Sequence, residues 1–147
     1  GLADTWLKAG ARQTLAARIV LDQFSRNLHR GTPKAFAFDE LALRLSKAAL
    51  ERGDGSELTE VEHSFLLMPL EHSEALADQR ACVTAFEALA ASSRACFQPL
   101  IMNSLDYARQ HQKVIEQFGR FPHRNTILGR ENTAAEADYL NQPGSGF

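Results

Sequence analysis

Residues Leu100–Phe118, which read LIMNSLDYARQHQKVIEQF, form a long regular pattern that decides the fold class. One face of the predicted helix carries Ile101, Leu105, Ala108, His111, Ile115 and Phe118. This spacing of three and four residues predicts an amphipathic α-helix whose apolar face packs against a core. Gly119 follows directly, and a glycine at that place is typical of a helix end.

Helical spacing recurs outside this stretch, and no segment alternates apolar and polar residues as a half-buried strand does. Further helices are predicted from Asp4 or Ala11 to Phe24, from Pro33 (with Thr32 as its cap) to about Arg52, from Thr59 to Pro69, through Leu76, Val83, Phe86 and Ala90, and from Thr133. Thr59–Glu62 and Thr133–Glu136 have the pattern of capping boxes. Short connections between helices favour antiparallel pairs, so the predicted fold is all-α, a bundle or a short superhelix.

Three details of these helices are also predicted. The second half of the first helix is apolar nearly all round, which indicates burial on every side; its residues are Leu15, Ile19, Val20, Leu21 and Phe24. Ser25–Thr32 should be a loop, and Phe38 should join the core stripe of the helix that follows. Pro69 should kink or break its helix because proline has no N–H to donate.

Composition limits the class of protein. The chain has 147 residues, of which 44% are hydrophobic and 23% charged, as expected for one globular domain over residues 1–147. A net charge of −2 gives no general attraction to nucleic acid or to an anionic membrane. No apolar run approaches the ~18 residues of a membrane span. Cys82 and Cys96 lie in apolar helical surroundings and are interpreted as reduced core thiols of a cytoplasmic protein.

A polar loop is the leading candidate for a site. Gly119–Arg130, GRFPHRNTILGR, contains three arginines, a histidine and an asparagine, with Phe121, Ile127 and Leu128 expected to anchor it to the core. Phe24-Ser25-Arg26-Asn27, followed by Arg30-Gly31, is a weaker echo of the same pattern. A solvated linker would not need the apolar anchors, so both loops are predicted to face a cavity.

Two histidines extend this prediction to the helices. Glu71-His72-Ser73-Glu74 follows Pro69 directly, and His72 and Gln79 continue the core stripe of the next helix backward as polar residues. His111 is a second histidine on a core-facing stripe. Such histidines are either hydrogen-bonded core residues or the lining of a shared pocket.

Two acids allow similar alternatives. Asp22 lies on an apolar helix, where an ionised carboxylate needs a partner; Arg18 and Arg26 are four residues away on either side. Asp22 therefore either holds Arg26 and fixes the first loop, or acts as an acid of the site. Asp39 lies near a helix N-terminus, which favours an anion whether or not the residue belongs to a site.

Several motifs in a fixed order resemble one bacterial family. They are Asp22-Gln23-Phe24-Ser25-Arg26-Asn27, Arg30-Gly31-Thr32-Pro33-Lys34-Ala35-Phe36-Ala37, Pro69-Leu70-Glu71-His72-Ser73-Glu74, Arg120-Phe121-Pro122-His123-Arg124-Asn125 and Leu128-Gly129-Arg130. Along its whole length the chain resembles the family numbered nine-two-four among the domains of unknown function. The resemblance implies a tetratricopeptide-like helical fold and brings no activity, substrate or cofactor. Family members usually carry a further N-terminal segment with a Trp-Phe-Gly motif, which this chain lacks, and a proline where it has Ser25.

The predicted function is binding of a small anionic or phosphorylated ligand, because guanidinium forks match carboxylate and phosphate groups. The predicted ligand-binding residues are Arg26, Asn27, Arg30, Glu71, His72, Glu74, His111, Arg120, His123, Arg124 and Asn125. The same arginines are equally suited to tying loops to helix ends and to acids. Alternatives are an enzyme using His72, Glu71 and His111 as acid–base groups, and a helical-repeat interaction scaffold. No cofactor, metal site or nucleic-acid partner is predicted, since no metal-binding or phosphate-loop motif is present.

Overall fold

The computed structural model describes residues 5, 6, 8 and 10–146. Every regular element in this part of the chain is helical, which confirms the predicted all-α class. The α-helices are α1 (Ala11–Arg18), α2 (Ser25–Leu28), α3 (Asp39–Arg52), α4 (Glu60–Glu71), α5 (Leu76–Ser92), α6 (Gln98–Phe118) and α7 (Ala134–Leu140). A π-helical segment, Ile19–Phe24, joins α1 to α2, and 3-10 turns occupy Pro33–Phe36, Asp54–Glu57 and Pro122–Arg124.

Consecutive helices pack against each other around a central core. The contact between α5 and α6 is the most extensive, and α4 packs against both of them. Apolar residues of these three helices form the main core: Leu67, Leu70, Cys82, Phe86, Leu89, Ala90, Ile101, Leu105 and Ala108. The predicted face of α6 is buried from Ile101 to Ile115, and Phe118 is half-buried. Helices that pack extensively and are joined by short connections run antiparallel, as the sequence predicts.

The predicted helix boundaries rest on local chemistry and are confirmed at four places. The Thr59 side chain accepts from the backbone N–H of Glu62 while the Glu62 carboxylate accepts from that of Thr59. Thr133 and Glu136 form the same capping box at the start of α7. Gly53 and Gly119 end α3 and α6 with φ of 79° and 69°, a left-handed conformation that costs other residues energy.

The first predicted helix needs two corrections. It does not stop at Phe24, because Ser25–Leu28 is helical and no glycine or proline interrupts the chain before Gly31. Burial on every side is also wrong, because the side of this helix that carries Val20, Phe24 and Leu28 faces solvent and Phe24 is 53% exposed. Its regular part begins at Ala11; the alternative start at Asp4 lies outside the described residues.

The second predicted helix also differs from the structure. Pro33–Phe36 forms a 3-10 turn, and α3 begins only at Asp39. The Thr32 hydroxyl donates to the carbonyl oxygen of His29 instead of capping a helix. Phe38 precedes the first turn of α3 and is 46% exposed, so it does not extend the core stripe.

Pro69 does not break α4, which continues to Glu71. The side-chain amide of Gln79 donates to the carbonyl oxygens of Leu70, Glu71 and Ser73. Because Gln79 is fully buried, its amide provides a donor inside the protein for carbonyl oxygens that the end of α4 leaves unpaired, and it fixes the segment that follows.

The two cysteines differ in burial. Cys82 lies in the core, whereas Cys96 is exposed in the connection between α5 and α6, so the prediction of a second core thiol is wrong. In the part of the chain that the structure describes, no helix is long and apolar enough to cross a bilayer.

Candidate functional site

A cavity of about 380 Å³ lies where α2, α4, α5, α6 and the loop after α6 meet. Its wall consists of Arg26, Ser64, Met68, Glu71, His72, Phe86, Asn103, Ser104, Tyr107, His111, His123 and Arg124. Six of these are residues predicted from the sequence as binding residues: Arg26, Glu71, His72, His111, His123 and Arg124. They come from segments far apart in sequence, which the fold brings together.

Asp22 is the buried acid that organises one side of the cavity. Its Oδ1 lies 2.7 Å from Nδ1 of His72 and accepts from Nε of Arg26 at 3.1 Å. Oδ2 accepts from the side-chain amide of Gln23. Burial alone would raise the pKa of Asp22, but His72, Arg26 and Gln23 hold it below its usual range. Asp22 therefore stays ionised and fixes both Arg26 and the imidazole of His72.

Asp39 is shared by the two arginines of the cavity wall. Its Oδ2 accepts from Nη2 of Arg26 at 2.7 Å and lies 3.5 Å from Nη1 of Arg124. Burial raises the pKa of Asp39, an effect that both arginines oppose. A single carboxylate at the start of α3 thus joins α2 to the loop after α6.

Arg124 is almost completely buried, with 6% of its surface exposed. Its guanidinium carbon lies 4.8 Å from the ring centre of Phe36 and 4.5 Å from that of Phe121. Nη2 donates to the carbonyl oxygen of His72 at 3.0 Å, and Nε is buried without a hydrogen-bond partner. Burial lowers the pKa of Arg124 to about 10, so the side chain is still charged at neutral pH.

Glu71 and His111 contact each other in the cavity wall. Glu71 is 7% exposed, and burial, with the charge of Asp22 near by, raises its pKa to about 8. Its Oε1 lies 3.4 Å from Nδ1 of His111, which also lies 2.8 Å from the carbonyl oxygen of Tyr107. Burial lowers the pKa of His111 to about 3. At neutral pH the pair is a protonated carboxyl beside a neutral imidazole.

The other two histidines of the wall are also neutral at pH 7. Burial and the charge of Arg124 lower the pKa of His123 to about 4. Burial lowers the pKa of His72 although Asp22 favours its charged form. The rings of His72 and His111 are 6.5 Å apart, and His111 packs edge-on against Phe121 at 5.5 Å. Charge in the wall therefore comes from Arg26 and Arg124.

Comparison with protein families identifies the group of proteins to which the chain is related. The model of the family described as "Bacterial protein of unknown function (DUF924)" matches residues 1–144. The chain belongs to this family. A solved structure of a protein of unknown function from Agrobacterium tumefaciens, ATU0120, superposes with a TM-score of 0.80 at 38% identity, over 95% of this chain and 72% of that one. No curated protein matches the chain.

Five predicted residues of this DUF924 chain lie outside the cavity wall: Asn27, Arg30, Glu74, Arg120 and Asn125. Asn27 and Arg30 are exposed, and Nη2 of Arg30 lies 3.5 Å from Oδ1 of Asn27. Arg120 binds the carboxylate of Glu136 through Nε and Nη2. Asn125 is fully buried and donates to the side chain of Asn132.

Glu74 holds the loop after α6 in place. It accepts from the backbone N–H of Phe121 at 2.7 Å and from both terminal nitrogens of Arg130 at 2.8 and 2.9 Å. Phe121 is fully buried, as its role as an anchor predicts, whereas Leu128 is 38% exposed and does not pin the loop. The acid and the anchor fix the backbone that carries His123 and Arg124.

Six residues of the wall were not predicted from the sequence: Ser64, Met68, Phe86, Asn103, Ser104 and Tyr107. A signal existed for five of them. Ser104 and Tyr107 precede His111 by seven and four residues on α6, and Asn103 precedes Tyr107 by four, so all share a side of the helix. Ser64 and Met68 lie on α4 and precede His72 by eight and four residues. No cluster of three or more metal-ligating side chains occurs among the described residues.

Proposed function

We propose that the protein binds a small organic anion in this cavity, with Arg26 and Arg124 as the groups that receive its charged end. The observation that carries the proposal is the pair of guanidinium groups in the cavity wall, of which Nη1 of Arg26 makes no hydrogen bond in the described part of the chain. A carboxylate or phosphate that accepts from this nitrogen would form a charge-assisted hydrogen bond.

The charge balance supports an anion. Arg26 uses Nε and Nη2 for Asp22 and Asp39, and its Nη1 makes no hydrogen bond in the described part of the chain. Asp22 and Asp39 lie behind the arginines and are not part of the wall. Glu71 is uncharged at neutral pH because its pKa is about 8. The wall therefore presents two guanidinium groups and no ionised acid; the carboxylates that compensate their charge, Asp22 and Asp39, are not part of the wall.

The size and remaining chemistry of the cavity suggest an organic ligand. A volume of about 380 Å³ falls at the lower end of the range typical of small-molecule sites. Met68, Phe86 and Tyr107 give the wall apolar area, and Asn103 and Ser104 add polar groups. A short carbon chain ending in a carboxylate or phosphate matches this combination. We also propose a cytoplasmic location, because Cys82 and Cys96 are both free thiols.

The test is a thermal-shift screen of carboxylates and phosphates against sodium chloride of equal ionic strength. An anion at a hundred times its Kd should stabilise the wild type by about 2.7 kcal/mol. Arg124→Lys should reduce this stabilisation, because lysine keeps the charge and loses the two-pronged donor geometry. Ser104→Phe should abolish it by filling the cavity without touching either arginine.

Gln110→Phe is the matched control, since Gln110 is exposed on the same helix and does not line the cavity. This variant should respond to anions as the wild type does. If no anion stabilises the wild type beyond the effect of sodium chloride, the arginines are structural ties, and a scaffold function becomes the better explanation.

A further inference from the structure

The pair of Asp22, which is buried, and His72, whose side chain is 15% exposed, has the geometry of an oriented general base. Nδ1 of His72 lies 2.7 Å from Oδ1 of Asp22, and Arg26 and Gln23 keep that carboxylate ionised and in place. An ionised carboxylate only accepts, so Nδ1 carries the proton and Nε2 carries the lone pair. Nε2 makes no hydrogen bond in the described part of the chain, and His72 lines the cavity.

Glu71, the neighbouring residue, is suited to the opposite task. It lines the same cavity, and its carboxyl group is protonated at neutral pH because it is buried near the charge of Asp22. One cavity thus holds a neutral base and a neutral acid, because the surroundings of the two groups shift their pKa values in opposite directions. An anion-binding role alone requires neither group.

The wall does not favour a covalent route. Ser64 and Ser104 are its hydroxyl-bearing aliphatic residues, and each donates its proton to a carbonyl oxygen of its own helix, that of Val61 and that of Leu100. Neither serine makes a hydrogen bond to His72. Proton transfer to and from the bound anion is the chemistry that His72 and Glu71 support.

We propose that the cavity catalyses enolisation of a short 2-oxo acid, with His72 as the base and Glu71 as the acid. The inference rests on the proposed anion binding, because the arginines hold the carboxylate of the substrate. The C–H bond next to the ketone breaks, and its proton forms an N–H bond at Nε2 of His72. The released electron pair forms the C=C bond of the enol, while the ketone oxygen takes the proton of Glu71.

The product side balances without a further reactant. His72 becomes an imidazolium whose charge Asp22 stabilises, and Glu71 becomes a carboxylate. The reverse transfer regenerates both groups and the 2-oxo acid. In heavy water the imidazolium exchanges its proton with solvent, so the reverse step leaves deuterium on the substrate.

The experiment follows this exchange by proton NMR in heavy water with pyruvate and 2-oxobutyrate, and measures binding of the same compounds by thermal shift. The wild type should bind them and exchange their protons faster than buffer does. His72→Gln should bind and lose at least 100-fold in exchange rate, the usual contribution of a general base. Glu71→Gln should bind and also lose about 100-fold, because an amide cannot transfer a proton to the ketone oxygen.

Trimethylpyruvate gives a second test that needs no substitution of the site. It carries the carboxylate and ketone but has no C–H next to the ketone, so it should bind without exchange and inhibit exchange of pyruvate at the concentration at which it binds. The control Gln110→Phe should match the wild type throughout.

Failures of the two proposals can be distinguished. Binding of the 2-oxo acids without exchange above the buffer rate, or exchange that persists in His72→Gln or in the presence of bound trimethylpyruvate, would overturn the enolisation proposal and leave anion binding intact. Absence of binding by any anion would overturn both.

Discussion

Two carboxyl groups of the site, those of Asp22 and Glu71, are buried to a similar degree and have opposite protonation states. Asp22 has His72, Arg26 and Gln23 as donors and remains charged. Glu71 has no comparable set of donors and faces the charge of Asp22, so it keeps its proton. The difference between two similar side chains comes from their partners.

The raised pKa of Glu71 predicts a specific pH dependence of stability. A carboxyl group with a pKa of about 8 in the folded protein and of 4.5 when exposed to water stabilises the fold below pH 4.5, and this contribution is lost progressively as pH rises from 4.5 through 8. Glu71→Gln cannot titrate there. Relative to this variant, the wild type should lose up to about 4 kcal/mol between pH 5 and pH 9, at 1.36 kcal/mol per pKa unit.

Denaturant unfolding of both proteins across this range provides the measurement. Asp22, His111 and Cys82 surround Glu71 in both proteins, so their own titrations largely cancel in the difference. Parallel stability curves would show that Glu71 is ionised in the folded protein and would contradict the prediction.

The sequence predicted only part of this arrangement. Asp22 and Arg26 are four residues apart on one helix, so their contact follows from spacing. Asp22 and His72 are 50 residues apart, and no local pattern relates them. Whether a histidine on an apolar stripe is a core residue or a base depends on such a distant partner, which local sequence patterns do not identify.

At the scale of the element, three residues that arrange the charges of the site lie at helix ends or in an irregular turn. His72 follows the last residue of α4, Asp39 opens α3, and Asp22 lies in the π-helical segment that joins α1 to α2. A π-helical turn is rare and often occurs at functional sites. The capping boxes and glycine ends were predictable because their signals are local, whereas nothing in Ile19–Phe24 indicates the wider turn.

Gln79 provides a test at this scale. Its buried amide bonds three carbonyl oxygens at the end of α4. Gln79→Leu should cost about 1–3 kcal/mol of unfolding free energy, because those carbonyl groups lose their donor inside the protein. It should also weaken anion binding, since His72 is part of the segment that Gln79 fixes.

Gln110→Leu on α6 is the control, because Gln110 is exposed and should change stability by less than about 0.5 kcal/mol. Equal unfolding free energies for the two variants in urea would show that the Gln79 amide does not support the end of α4.

At the scale of the whole molecule, the loop after α6 completes the cavity. It supplies His123 and Arg124, and Glu74 attaches it to the connection between α4 and α5. The sequence predicted that Arg26, His72 and Arg124 come from segments sharing one site. It did not separate Arg124, which lines the cavity, from Arg120, which pairs with Glu136, because both occur in the same motif with the same chemistry.

Glu74→Gln should loosen this loop without changing the cavity wall. The variant keeps the size of the side chain but loses its charge-assisted bonds to Arg130 and to the backbone of Phe121. Anion affinity should fall several-fold because Arg124 is less well positioned. Glu136→Gln, which disturbs the pair with Arg120 instead, is the comparison: an equal loss of affinity in both variants would argue against a specific role of Glu74.

The shared carboxylate of Asp39 has a consequence for how this site evolves. Because one oxygen atom serves both Arg26 and Arg124, these three positions form a single unit of charge. Loss of Asp39 leaves two like charges facing each other, and loss of either arginine leaves the acid with half of its compensation. A substitution at one of these positions therefore leaves a charge uncompensated until a second position is also substituted. Across the lineage we expect the trio to be inherited as a set, and to be exchanged, where it is exchanged, by paired replacements.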